Sequence, residues 1–145
     1  MRRREFIRRL PVVTTGLIAG ASTLSLAACA GIPYVVPVVR PDALVVPKSA
    51  LAEGGEAYLQ TLEMDRPVYV RRDASGQVVA LLASCTHQGC QPERVGDRLV
   101  CPCHGSEFSL SGSVLEGPAE DPLTRYVVTE EGDELIVWLD GRGER

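Results

Sequence analysis

Two short stretches decide the fold of this chain: Cys-Thr-His-Gln-Gly-Cys at residues 85–90 and Cys-Pro-Cys-His-Gly-Ser at residues 101–106. The 145 residues include five cysteines and only two histidines, and both histidines lie in these stretches. A cysteine and a histidine stand close together in each stretch, so a turn in each loop can direct a sulfur and a nitrogen at one centre. Thiolate and imidazole ligands suit zinc and iron-sulfur centres alike, so these side chains alone leave the metal open.

The remaining cysteines of the two stretches narrow the choice of metal centre. A zinc site would leave Cys90 and Cys103 without a role. An all-cysteine cluster of the plant type needs the spacing C-x4-C-x2-C. Cys85 and Cys90 supply the first gap, but position 93 is Glu93, so the plant-type cluster is excluded.

The paired pattern C-T-H-x-G-C followed by C-P-C-H-G-S resembles that of Rieske [2Fe-2S] proteins, in the subgroup whose two loops are joined by a disulfide. The similarity is close from about Leu82 to Tyr126 and looser in the flanking strands. It implies one Rieske-type [2Fe-2S] cluster, with Cys85 and Cys101 on the inner iron and His87 and His104 on the outer iron.

The resemblance also assigns the other cysteines and one serine. It implies a disulfide between Cys90 and Cys103, a bond that is typical of an oxidising, extracytoplasmic compartment. Cys29 then remains unpaired. Ser106 matches a family position whose hydroxyl donates a hydrogen bond to a bridging sulfide of the cluster.

Three positions around the motifs refine the chemistry that the family resemblance implies, two because they differ from the family pattern and one because it matches. High-potential, quinol-oxidising members of the family carry Tyr where this chain has Phe108, so we expect a lower potential here. Position 88, often Leu in members that bind quinol, is Gln88, which weakens the expectation of quinol docking. Gly117-Pro118-Ala119 resembles the proline-containing loop that covers the cluster from its far side.

The rest of the folded body reads as β-structure. Short apolar or alternating runs are separated by turn residues, and no stretch after the N-terminal segment shows a 3.6-residue apolar period. The pattern predicts an all-β fold of stacked antiparallel sheets, with a small cluster-binding subdomain formed by the two loops, in a domain that spans 48–145. The predicted hairpins pair 68–71 with 78–82, 108–110 with 113–115, and 126–129 with 135–139.

The N-terminal segment 1–29 is predicted to be an export signal. Arg3-Arg4 with Phe6 two positions on resembles a twin-arginine signal, which exports proteins already folded around their cofactors, and the apolar run Leu10 to Ala28 follows. Leu26-Ala27-Ala28-Cys29 resembles a bacterial lipobox and predicts lipidation of Cys29. An uncleaved membrane helix and a freely soluble product are the alternatives.

Residues 30–47 are predicted to be a semi-rigid, Pro-rich linker, because proline fixes φ and removes backbone donors. The alternative is an N-terminal strand that lies along the domain at Leu44 to Val46. Either way, the predicted location is the extracytoplasmic (periplasmic or outer) face of the bacterial cell membrane, to which the protein is anchored.

Charge excludes one class of partner. Without residues 1–28, ten basic and eighteen acidic side chains remain, a net charge of −8. A nucleic-acid-binding protein would present a basic face, so we expect no nucleic acid and, where charge steers association, a basic partner.

Two electron-transfer functions fit the sequence. The first is a subunit of a membrane quinol-oxidising cytochrome bc type complex, with b-type and c-type cytochromes or another redox protein as partners and quinol as a candidate reductant. The second is a stand-alone, lipid-anchored Rieske carrier or the small subunit of a periplasmic oxidoreductase. A structural zinc module is the alternative from another class. No catalytic triad, phosphate loop or paired-carboxylate site stands out, so catalysis beyond electron transfer is not predicted.

Overall fold

Two ranges, residues 31–51 and 55–140, are those that the computed structural model describes. The predicted signal segment and its Cys29 lie outside the described residues. Within the two ranges no helix has both the length and the apolar character needed to cross a membrane. The described elements are a 3₁₀-helix at Lys48–Leu51 and strands β1 Tyr34–Val35, β2 Val38–Arg40, β3 Ala43–Pro47, β4 Glu56–Leu59, β5 Val68–Arg72, β6 Val78–Leu82, β7 Glu93–Val95, β8 Arg98–Val100, β9 Glu107–Ser109, β10 Val114–Glu116, β11 Arg125–Glu131 and β12 Glu134–Trp138.

The strands form two sheets, as the predicted all-β class requires. The larger sheet has eight strands in the order β1-β4-β5-β6-β11-β12-β3-β2, and the smaller has four in the order β10-β9-β8-β7. All pairings are antiparallel except that of β1 with β4, which is parallel. The smaller sheet belongs to the subdomain that carries both motifs. The predicted fold class is confirmed.

All three predicted hairpins form, because turn residues separate each pair of apolar runs. In the β5–β6 hairpin, the Asp73 carboxylate accepts hydrogen bonds from the backbone N–H groups of Ser75 and Gln77 at 2.8 and 3.0 Å. Gly76 closes the turn with a φ of +88°, a conformation that glycine adopts at little steric cost. The other two hairpins are β9–β10 and β11–β12.

One cluster of the hydrophobic core joins the larger sheet to the smaller one. Tyr69 and Leu81 of the larger sheet pack in one buried cluster with Leu99 and Phe108 of the smaller sheet. The thiols of the two motifs belong to the same cluster. The motif thiols are therefore packed among buried side chains from both sheets.

The predicted linker is wrong in its extent, because the segment up to Pro47 contributes strands. β3 is buried over Ala43–Val46 and pairs with β12 along its whole length, so the alternative prediction of a strand at Leu44 to Val46 is confirmed. Its prolines are tolerated because they lie between or at the ends of strands, where no ladder N–H is lost. Pro37 separates β1 from β2, Pro41 lies in the next turn, and Pro47 ends β3. The domain therefore begins before residue 48.

Candidate metal centre

The two motifs form loops of the same shape. The first follows β6 and closes on itself, with Cys85 N–H donating to Cys90 O at 2.8 Å and Gly89 N–H to Cys85 O at 2.7 Å. The second joins β8 to β9, with Cys101 N–H donating to Ser106 O at 2.8 Å and Gly105 N–H to Cys101 O at 3.0 Å. Both glycines have φ near +77°, at 76° and 77°. Each loop is thus a tight turn that glycine permits.

A disulfide joins the two loops. Cys90 and Cys103 are bonded, with their Cα atoms 6.4 Å apart and thirteen residues apart in sequence. The predicted pairing is confirmed. Since each partner lies within three residues of a histidine of the motifs, the bond fixes the two loops against each other where those histidines project.

Two thiols lie inside the domain and two imidazoles lie toward its surface. Cys85 and Cys101 are 3% and 1% exposed, and their side chains are hydrogen-bonded to each other. His87 is half-buried and His104 is exposed, with ring centroids 4.8 Å apart and the rings perpendicular. The four side chains that the motifs predicted as ligands are therefore gathered at one end of the domain.

One nitrogen of this group lacks a partner. Nδ1 of His87 is buried and makes no hydrogen bond within the described part of the chain. Burying a polar nitrogen without a partner costs about 1–3 kcal/mol, so such an atom calls for a ligand. A metal coordinated at Nδ1 would satisfy it.

A second set of sulfurs lies nearby but offers no metal site. The sulfurs of Cys90, Cys101 and Cys103 are all within 4.8 Å of one another. Two of them are consumed in the disulfide, which leaves only Cys101 as a thiol ligand. The proximity shows instead that the disulfide packs directly against the buried end of the site.

The two buried thiols differ in acidity. Burial raises the pKa of the Cys101 thiol, and the hydrogen bond shared with Cys85 adds to the rise. Burial also acts to raise the pKa of Cys85, but the backbone N–H of His87, the Cys101 thiol and the Ser106 hydroxyl outweigh it, so the pKa of Cys85 lies below its usual range. Of the two thiols, Cys85 is therefore the more easily ionised.

Backbone donors surround both sulfurs. Hydrogen bonds from the His87 and Gln88 backbones stabilise the Cys85 thiolate, and those from the Cys103 and His104 backbones act in the same sense on Cys101. Such donors favour any species that places negative charge on the sulfurs.

Ser106 links the site to the predicted proline loop. Its side chain is fully buried, and its Oγ accepts a hydrogen bond from Ala119 N–H at 3.0 Å while the hydroxyl bonds to Cys85. Thr86 Oγ1 in turn donates to Asp121 O at 2.6 Å. The segment 117–121 is thus tied to both motif loops, as the resemblance of Gly117-Pro118-Ala119 led us to expect.

The departures from the high-potential pattern, Phe108, and from the quinol-binding pattern, Gln88, are both at the site. Phe108 is completely buried in the cluster of core residues that contains both thiols, and it has no hydroxyl to donate. Gln88 is exposed at the tip of the first loop, beside His87. A polar side chain therefore stands at the rim where an apolar one was the expectation for quinol docking.

Sequence reasoning missed the outer supports of the first loop. Arg66 Nε donates to Gly89 O, and Gln91 Nε2 donates to Tyr34 Oη at 2.7 Å. Both contacts join residues more than twenty positions apart, so no local pattern could have identified them. Thr86 lies inside the motif and could have been singled out by its hydroxyl.

Comparisons with known proteins agree with the geometry. The family model described as the Rieske [2Fe-2S] domain matches residues 43–127. The cytochrome b6-f complex iron-sulfur subunit of Chlorobaculum thiosulfatiphilum is 30% identical over an alignment of 141 residues that covers 93% of this chain and 74% of that protein. A subunit of the same description from a Synechococcus species is 31% identical over a gapped alignment 154 positions long, which covers 93% of this chain and 86% of that protein.

A solved structure is also similar. The plasma membrane Rieske protein of the cyanobacterium Synechocystis PCC 6803 superposes with a TM-score of 0.55 at 37% sequence identity, over 63% of this chain and 93% of that one.

Proposed function

The chain belongs to the Rieske [2Fe-2S] domain family and carries one [2Fe-2S] cluster, which we propose is held by Cys85, His87, Cys101 and His104. One observation carries the assignment: two buried free thiols lie behind a pair of imidazoles, one of which has a buried nitrogen without a partner among the described residues. Rieske centres take two thiolates on one iron and two imidazoles on the other, and this donor set fits.

Burial supports the division of ligands between the two irons. Cys85 and Cys101 are the inner pair because they are almost completely enclosed, and His87 and His104 are the outer pair because they lie nearer the surface. The exposed His104 then supplies the shortest route between the cluster and a docked partner.

The bound cluster would supply one-electron chemistry, at a potential above that of an all-thiolate cluster because two neutral imidazoles replace two thiolates. The protein contributes the donors that stabilise the added negative charge. These are the backbone N–H groups directed at both sulfurs and the Ser106 hydroxyl. The disulfide and the segment 117–121 keep the two loops in place and limit access of water to the thiols.

The function that we propose for the chain is electron transfer as a subunit of a membrane quinol-oxidising cytochrome bc type complex. Relatives that align with 93% of this chain are iron-sulfur subunits of cytochrome b6-f complexes, and this supports b-type and c-type cytochromes as partners. Copurification of the tagged full-length chain with a b-type cytochrome from its native membranes tests the proposal. Purification without any cytochrome would contradict it.

A stand-alone carrier, or the small subunit of a periplasmic oxidoreductase, is the second candidate. Phe108 and Gln88 favour it, because the first lowers the expected potential and the second removes an apolar contact at the rim of the site. Reduction by a quinol analogue separates the two functions. Rapid reduction supports the complex, and no reduction under conditions where dithionite works supports the carrier.

We propose that the domain lies at the extracytoplasmic face of the membrane. The Cys90–Cys103 disulfide supports an oxidising compartment, and the apolar run before Cys29 supports an anchor. Four exposed apolar side chains follow soon after that run, at Tyr34, Val36, Val38 and Val39. In cells, the Cys29→Ser variant should leave the membrane fraction if a lipid is the anchor and stay if the anchor is a helix.

Ligand substitution tests the site. The full-length protein should contain two iron atoms and two sulfides per chain, Cys101→Ser should lose them, and Cys29→Ser, a matched exchange at a cysteine with no proposed role in the cluster, should keep them. Iron retained in Cys101→Ser, or lost from Cys29→Ser, would contradict the ligand set.

A further inference from the structure

A cation reaches the first motif loop from outside the motifs. Arg66, in the connection between β4 and β5, donates from Nε to the carbonyl oxygen of Gly89 at 2.5 Å, across 23 positions of sequence. A longer bond, 3.4 Å, joins its Nη1 to the carbonyl of Asp65. Gly89 lies between His87 and Cys90, so the guanidinium stands against the turn that carries a proposed ligand.

This contact differs from those of other basic side chains in the domain. A carboxylate oxygen lies within 3.4 Å of a group of basic residues that are spread over the two sheets and the 3₁₀-helix, namely Arg40, Lys48, Arg72, Arg94 and Arg98. Arg66 Nε meets a neutral carbonyl instead. Its charge is therefore directed at the loop, and no carboxylate from residues 31–51 or 55–140 contacts that nitrogen.

We propose that Arg66 is a positioning residue for the [2Fe-2S] cluster, and that its charge raises the affinity of the cluster for the electron. The inference rests on the proposed ligand set. A fixed cation beside the loop favours the reduced state, which carries one more negative charge than the oxidised state.

The bond to Arg66 is made at the tight turn of the loop. Gly89 has a φ of +76°, its N–H donates to Cys85 O, and its own carbonyl oxygen accepts from Arg66 Nε. The disulfide fixes the loop at Cys90 and Thr86 fixes it at Asp121. Arg66 supplies the third restraint, on the turn itself, and it is the one that brings a charge.

The expected effect is modest because Arg66 is exposed. Charge interactions at exposed sites change an equilibrium by only about threefold. A threefold weaker electron affinity corresponds to a midpoint potential that is lower by about 30 mV, at 59 mV per tenfold change for a one-electron couple.

Three variants of the full-length protein separate charge from geometry. Arg66→Gln keeps a donor but removes the charge, and Arg66→Lys keeps the charge but loses the guanidinium fork. Arg71→Gln is the control, because it removes the same charge far from the motif loop. Arg71 lies near the turn between β5 and β6, whereas Cys85 follows the other end of β6. The midpoint potential of each is measured at constant pH and ionic strength, beside the iron content.

We expect the electron affinity to fall about threefold in Arg66→Gln, which lowers the midpoint potential. The potential should change less in Arg66→Lys and stay unchanged in Arg71→Gln. Loss of iron from both Arg66 variants, with full iron in Arg71→Gln, would also support the positioning role. Equal potentials and equal iron in all four proteins would overturn the inference alone. A wild-type protein without a cluster would overturn the proposed function together with it.

Discussion

Removing the Ser106 hydroxyl should lower the potential of the cluster and destabilise the domain. In Ser106→Ala the bond to the Cys85 sulfur disappears, and Ala119 N–H is left buried without its acceptor. A hydrogen bond to a charged group contributes about 1.5–3 kcal/mol. The bond exists in both redox states, so only the difference between its strengths in the two states changes the midpoint potential. We take about 1 kcal/mol for this difference, which corresponds to a potential lower by roughly 40 mV at 59 mV per tenfold change.

The stability cost of the same variant follows from the orphaned amide. An unsatisfied buried donor costs about 1–3 kcal/mol. Ser111→Ala is the matched control, because Ser111 is exposed and its side chain bonds to Ser109 Oγ at the surface, away from the thiols.

Redox titration followed by electron paramagnetic resonance measures the potential, and urea denaturation measures the stability. A fully loaded Ser106→Ala protein with the potential of Ser111→Ala would refute the reasoning, since it would mean that the hydroxyl does not distinguish the two redox states.

Three further variants test other contacts of the domain. Phe108→Tyr adds a donor beside the thiols and should raise the midpoint potential by about 40 mV in the same titration, by the same hydrogen-bond reasoning; an unchanged potential would remove this explanation of the low value that we expect. The double variant Cys90→Ala/Cys103→Ala opens a link between residues thirteen positions apart and should lose about 3 kcal/mol of stability in urea, whereas an unchanged midpoint of denaturation would show that the disulfide does not constrain the unfolded chain. The pKa of Tyr58 is raised to about 12, mainly by burial and then by the charges of Tyr34, Glu56 and Glu93. The contribution of the neutral phenol to stability is therefore present below pH 10 and is lost as the pH rises to 12. In Tyr58→Phe the ultraviolet absorbance step near pH 12 should disappear; a step of the same size in both proteins would contradict the assignment.

Much of the body could be predicted because its signals are local. The hairpin of β5 and β6 follows from two apolar runs around Asp73 and Gly76, whose turn chemistry needs no tertiary contact. The motif loops could also be predicted from the sequence, since Cys85 and Cys101 begin short segments whose spacing is shared by a whole family. The prediction of the Cys90–Cys103 pair came from that resemblance and not from geometry.

The N-terminal part of the sheet was predicted only as the alternative to a linker, because prolines dominate that segment. A segment with proline every four to six residues is typical of an extended spacer, and only the pairing of β3 with β12 turns it into a core strand. That pairing joins Ala43 to Trp138, nearly the full length of the described chain. The same reason applies to Arg66, whose contact with Gly89 depends on how β4 and β5 are placed and on no pattern of neighbouring residues.

The central claim is that two histidines and two cysteines hold the cluster, and the coupling of nitrogen nuclei to the reduced cluster tests it most directly. Pulsed electron paramagnetic resonance on the dithionite-reduced, full-length protein should detect two strongly coupled nitrogens, one of which is lost in a His104→Cys variant that retains iron. A reduced cluster with no strongly coupled nitrogen would mean that sulfur alone binds the iron, and it would contradict the assignment of His87 and His104.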